Sequence, residues 1–164
     1  MTHQIDTQKM AAAIGLPVEV FVETVTGSSF SPTSEALVAE LVGGKRLVGK
    51  QEAHDVIAEH RKNKKIEVRN ICKSGYIYFS PSTAVGKNRF FDKEAFFDKL
   101  NKIDSYVFVD LRKRLTEPLT FYEIPVSKVR ELYHDKNSLM GDKAQITKKN
   151  FFDTFPYSEY ALKP

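Results

Sequence analysis

Tyr106-Val107-Phe108-Val109 is a continuous apolar run too short for a helix, and it constrains the fold more than any other segment. A strand with no polar alternation needs cover on both faces, which is the situation of a central strand in a sheet flanked by helices. Leu119 to Ile124 is its expected neighbour, closed by Pro125. The cover is legible too. Phe96, Phe97, Leu100 and Ile103 recur at helical spacing within Asp92 to Ile103, and Val129, Leu132 and Tyr133 mark one side of a helix over Val126 to His134. Upstream, a loop over Gly27 to Ser34 ends on a Ser or Thr suited to capping a helix that carries Leu37, Val38, Leu41 and Val42 and stops at Gly43-Gly44. The expected class is therefore α/β, with a central mixed β-sheet flanked by α-helices.

The remaining segments fit one domain over 1–164, since 164 residues with 41% hydrophobic content suit a single core. Residues 1–30 read as a helical N-terminal arm, with a helical rhythm over Thr7 to Thr24 broken at Gly15-Leu16-Pro17. Strands are expected at Arg46 to Val48, Ala53 to Glu59 and Lys64 to Cys72. The last is expected to form a hairpin with Tyr76 to Ser80 across a Lys73-Ser74-Gly75 turn, followed by a polar loop over Pro81 to Arg89. Gly141 to Pro164 is polar and aromatic without a firm period.

The chemistry concentrates on two of these strands. Asp55 opens one apolar stretch, and Glu67 and Arg69 alternate with Ile66, Val68 and Ile71 on the next, so period-2 geometry turns Glu67 and Arg69 to one face. Two acids and a cation on adjacent strands make a candidate divalent-metal site. The competing readings are ordinary ones. Asp55 can be a strand-edge acid, with Glu52 as the alternative ligand, and Glu67 with Arg69 can be a solvated, ion-paired strand face. His54, beside Asp55, can assist catalysis or simply pack.

Charge points to a polyanionic partner: 25 Lys and Arg against 21 Asp and Glu give a net charge of +4, and the pI is near 9.0. Basic clusters lie at Arg61 to Lys65, Lys87 to Arg89 and Arg112 to Arg114. Ser82, Thr83, Lys87, Asn88 and Arg89, with Lys73 in the preceding turn, form the expected nucleic-acid contact, through phosphates that give affinity without sequence information. A lone Cys72, no secretory leader and no apolar run of about 18 residues lead to the expectation of a reducing, cytoplasmic setting without membrane insertion. Zinc-type Cys/His spacing, a Gly-x-Ser-x-Gly elbow and a phosphate-binding Gly-x-x-x-x-Gly-Lys loop are absent.

Taken in order, a helix carrying Glu35, Gly-x-x-x-x-x-Asp over Gly49 to Asp55, Glu-x-Arg over Glu67 to Arg69, a helix, Tyr-Val-Phe-Val-Asp and Phe-Tyr-x-Ile-Pro resemble the restriction-endonuclease-like PD-(D/E)xK nuclease superfamily. The likeness covers Ser34 to Tyr133. It departs at His54, where the motif has proline, and at Arg69, where the family usually has lysine. The resemblance implies Mg²⁺-dependent (or Mn²⁺-dependent) hydrolysis of double-stranded DNA by a restriction-type endonuclease. Asp55, Glu67 and the Val68 carbonyl would be the metal ligands, with Arg69 as the catalytic cation and Glu35 as an additional catalytic or second-metal carboxylate. Cutting both strands symmetrically would call for a homodimer, with the N-terminal arm as the dimerisation element. The alternatives are a catalytically inactive DNA-binding or assembly module of the same fold, and a small protein-interaction partner.

Overall fold

The computed structural model describes residues 6–13, 15–25, 30–48, 53–72, 75–79, 83–85, 88–112, 117–134, 139–140 and 143–162, with 23–25, 83–85 and 88–90 described by backbone alone. The chain begins with helices α1 (Thr7–Ala13) and α2 (Val18–Val25), separated by the expected break, and continues into α3 (Ser31–Leu41). Strands β1 (Lys45–Arg46), β2 (Val56–Ala58) and β3 (Lys64–Ile71) follow, then β4 (Tyr76–Tyr78), β5 (Thr83–Val85), β6 (Asn88–Phe90) and helix α4 (Lys93–Lys102). The chain ends with β7 (Ser105–Asp110), β8 (Thr120–Pro125), α5 (Val126–His134), β9 (Gln145–Thr147), α6 (Lys148–Asp153) and β10 (Ala161–Leu162).

Six strands form a mixed sheet in the order β1-β2-β3-β7-β8-β10. β3 and β7 run parallel, in register from Ile66↔Ser105 to Ile71↔Asp110, and the crossover between them carries α4. Every residue from Ser105 to Val109 is buried, as the apolar run requires. Alternation splits that strand between two cores. Tyr106 and Phe108 join Ile71, Phe96, Leu100, Val129 and Phe151 on one face, while Val107 and Val109 join Ile66, Val68, Val38 and Phe121 on the other. Helices α4, α5 and α6 therefore cover one face and α3 the other, and Asp92 caps α4 by accepting from the Ala95 N–H at 2.9 Å.

Three expectations are corrected. β4 forms no hairpin with β3: it pairs antiparallel with β9, from the unperiodic tail, as a separate two-stranded sheet. The reason is that β2 and β7 already occupy both edges of β3, so the chain must leave the sheet after Ile71. The polar stretch expected as a loop contains a hairpin, β5 with β6, with Ala84 opposite Arg89. The start of α3 has no side-chain cap: Phe30 occupies the N-cap position and Pro32 lies in the first turn. Proline's pre-set φ and missing N–H suit that place, and Phe30 is anchored by burial in the α3-side core.

At the other end of α3, Gly43 takes φ +61° and the Gly44 N–H donates to the Ala39 carbonyl at 2.8 Å. A Cβ on Gly44 would lie 2.9 Å from the Ala58 Cα and closer still to the Ile57 carbonyl. This glycine lets the chain cross β2 at backbone contact, which fixes α3 against the strand that Asp55 precedes.

Candidate functional site

The ladder between β2 and β3 has its last rung at Val56↔Ile66, and Asp55 extends it by one residue in each direction. Its N–H donates to the Ile66 carbonyl at 3.0 Å, its carbonyl accepts from the Leu47 N–H at 2.9 Å, and its carboxylate Oδ2 accepts from the Val68 N–H at 2.8 Å. Asp55 is thus held from both neighbouring strands. In a strand the N–H and C=O of one residue point to the same edge, so the Val68 carbonyl is directed to the edge where the Asp55 carboxylate sits.

Glu67 and Arg69 point to the α4 side, as their alternation with Ile66 and Val68 requires. Glu67 is only 4% exposed. Arg69 Nη2 lies 2.8 Å from Glu67 Oε1, and Lys99, from α4, forms an ion pair with Oε2. Burial pushes the Glu67 carboxyl above its ordinary range; Arg69 pulls it back, Asp55 pushes it further up, and Lys99 again opposes. Burial wins, so the Glu67 carboxyl stays above its ordinary range despite the two cations on it. Arg69 Nε is buried with no hydrogen-bond partner among the described residues. Tyr106 is the β7 rung opposite Glu67, and its hydroxyl donates to the Phe79 carbonyl at 2.7 Å. Its phenol is raised far above its ordinary value by burial, which keeps it a neutral donor.

The structure therefore brings Asp55, Glu67, Val68 and Arg69 together and engages Glu35 elsewhere. Glu35 lies on α3, which packs on the opposite face of the sheet, and its Oε2 accepts from Arg46 Nε at 2.8 Å. His54 is buried, 6% exposed. Among the expected nucleic-acid contacts, Lys73, Ser82 and Lys87 lie outside the described residues, as does Glu52, the alternative ligand. Thr83, Asn88 and Arg89 fall on the β5–β6 hairpin, where the backbone alone is described.

Several basic residues have structural work instead. Arg61 Nη1 and Lys64 Nζ each lie 2.7 Å from the Glu123 carboxylate, which also accepts from Ser105 Oγ at 2.9 Å. Arg112 is paired with Asp110 at 2.7 Å and sits 3.5 Å over the Phe152 ring. Lys62 and Lys65 remain exposed.

Lys99 is the site residue that sequence reasoning missed, although a signal existed. It sits at i+3 from Phe96 and next to Leu100, within the stripe that α4 turns to the core, and a lysine in such a stripe needs a buried anion.

Among the described residues, no group of three or more His, Cys, Asp or Glu side chains is arranged to hold a metal ion. A smaller set suffices for Mg²⁺, which takes one or two carboxylates and keeps several waters. Asp55, Glu67 and the Val68 carbonyl offer hard oxygen donors of that kind at the end of the β2–β3 ladder. The donor set fits. No protein-family model matches this chain, and no curated protein matches it in sequence.

Proposed function

We propose that this protein is a Mg²⁺-dependent endonuclease that hydrolyses DNA phosphodiester bonds, of restriction type and acting as a homodimer on double-stranded DNA. The observation that carries the reading is the Asp55 carboxylate held on the Val68 N–H, one residue along β3 from Glu67, with two cations, Arg69 and Lys99, on the buried Glu67 carboxylate. Asp55, Glu67 and the Val68 carbonyl would hold the ion. Mg²⁺ bound there would lower the pKa of an attacking water and neutralise charge on the scissile phosphate.

The residues of the chain divide the remaining tasks. Asp55 fixes its own carboxylate on the Val68 N–H, so the ligand is oriented before substrate arrives. Arg69 stays protonated and cannot serve as a base. With Nη2 on Glu67 and the side chain still partly exposed, its guanidinium can donate to a phosphate oxygen as charge develops. Lys99 supplies an ammonium where the Glu-x-Arg sequence lacks a lysine, and its pairing with Glu67 keeps that ammonium at the same carboxylate.

The double pairing of Glu67 also favours a second reading, a DNA-binding module whose acid is locked in a closed ion-pair cluster. The two readings separate on long double-stranded DNA of mixed sequence incubated with Mg²⁺, with Mn²⁺ and with chelator. Metal-dependent discrete fragments from the wild type, absent with Glu67→Ala, support the endonuclease. Binding without cutting in any metal leaves only the inactive module.

A further inference from the structure

The small β4–β9 sheet carries a feature that the metal site does not use. Ile77 is buried while Tyr76 and Tyr78, on either side of it, are 44% and 45% exposed, so alternation turns both rings to the same outer face. Their centroids are 6.1 Å apart. Their cross-strand partners are Thr147 and Gln145, side chains that donate and accept hydrogen bonds. Among the described residues, 75–79 and 143–149 carry three lysines, Lys143, Lys148 and Lys149, and no Asp or Glu. Lys143 and Lys149 are exposed at the two ends of β9, and Lys148 Nζ donates to the Cys72 carbonyl at 3.3 Å, tying this sheet to the end of β3.

We propose that Tyr76 and Tyr78 form a stacking platform for unpaired nucleotides, flanked by lysines that follow the phosphate backbone, so that the protein binds single-stranded nucleic acid on the β4–β9 sheet. Aromatic rings accept any base by its π-face, and a basic surround supplies sequence-independent affinity. The spacing favours a single strand over a duplex. At 6.1 Å, the rings are farther apart than the ~3.4 Å rise per nucleotide of a duplex strand, so successive bases cover both rings only when the strand is drawn out of duplex geometry. The platform is independent of whether Asp55 and Glu67 cut, and it needs no metal.

The test is fluorescence anisotropy of a labelled mixed-sequence single-stranded oligonucleotide and of its duplex, in chelator so that no cleavage intervenes. The expected result is tighter binding of the single strand, weakened about 5- to 140-fold by Tyr76→Ala or Tyr78→Ala, which is about 1–3 kcal/mol per stacked base at 1.4 kcal/mol per tenfold. Tyr→Phe at either position keeps the ring and should keep the affinity. A second readout needs no variant: the chain has no Trp and seven Tyr, so its intrinsic emission is tyrosine emission, which stacking should quench on titration with unlabelled oligonucleotide. The proposal is overturned by any of three outcomes: no single-strand binding, equal affinity for the duplex, or affinity and tyrosine emission that ignore the two rings. Metal-dependent cleavage bears on Asp55 and Glu67 alone, so failure of one idea is distinguishable from failure of the other.

Discussion

Replacing Asp55 separates the structural from the chemical duty of that carboxylate. Asp55 Oδ2 accepts the Val68 N–H at 2.8 Å, and Val68 is 8% exposed, so Asp55→Ala leaves a buried donor with little access to water. A hydrogen bond to a charged acceptor is worth about 1.5–3 kcal/mol. For a chain of this size each kcal/mol moves Tm by about 2–4 °C, so Asp55→Ala should melt about 3–12 °C below wild type. Asp55→Asn keeps a carbonyl oxygen for the same N–H and should lose less than half of that. Both variants lack the carboxylate and should lack metal-dependent cleavage. Urea denaturation with a common m-value, beside a thermal melt, reads the difference. Equal stability of the Ala and Asn variants would refute the view that the Asp55 side chain holds the Val68 N–H.

Three further perturbations follow from the same geometry. Gly44→Ala forces a methyl against the Ile57–Ala58 backbone and should cost about 1–3 kcal/mol, as overpacking does; an unchanged Tm would show that α3 and β2 separate easily. Glu123 titrates below its ordinary 4.5 because hydrogen bonds from Lys64 and Arg61 outweigh the upward push of burial. Its stabilisation is therefore complete above pH 4.5 and is lost as pH falls through the lower folded-state value. Glu123→Gln should flatten acid unfolding in that window, and an unaltered acid limb would contradict the assignment. Lys99→Met removes one of the two cations on Glu67 while Arg69 remains, so the fold should survive and cleavage should fall about 10²–10³-fold, the scale for losing one preorganised charge donor. Full activity in this variant would assign Lys99 to packing alone.

What was legible in the sequence was local. Tyr106 to Val109 had to be a covered strand because nothing in it tolerates water, and Asp92 to Ile103 carries both its cap and its core stripe. The partner of β4 was illegible for a physical reason. Pairing is chosen by which edges are open, and β3 has none after β2 and β7 are seated, so Tyr76–Tyr78 finds Gln145–Thr147 far along the chain. The site divides in the same way. Asp55, Glu67 and Arg69 could be read from period-2 alternation on neighbouring strands, whereas Lys99 reaches Glu67 from a helix and is visible only once α4 is placed on that face. Charge clusters misled in part, because Arg61, Lys64 and Arg112 neutralise Glu123 and Asp110 before any phosphate arrives.

The most direct test of the account is whether one divalent ion binds where Asp55 and Glu67 meet. Titration of the metal-free protein with Mn²⁺, followed by electron paramagnetic resonance of the free ion, should give a single site that Mg²⁺ displaces and that both Asp55→Asn and Glu67→Gln abolish, each variant remaining folded. Mn²⁺ binding that survives both substitutions, or no binding by the folded wild type, would contradict the assignment of Asp55 and Glu67 as metal ligands.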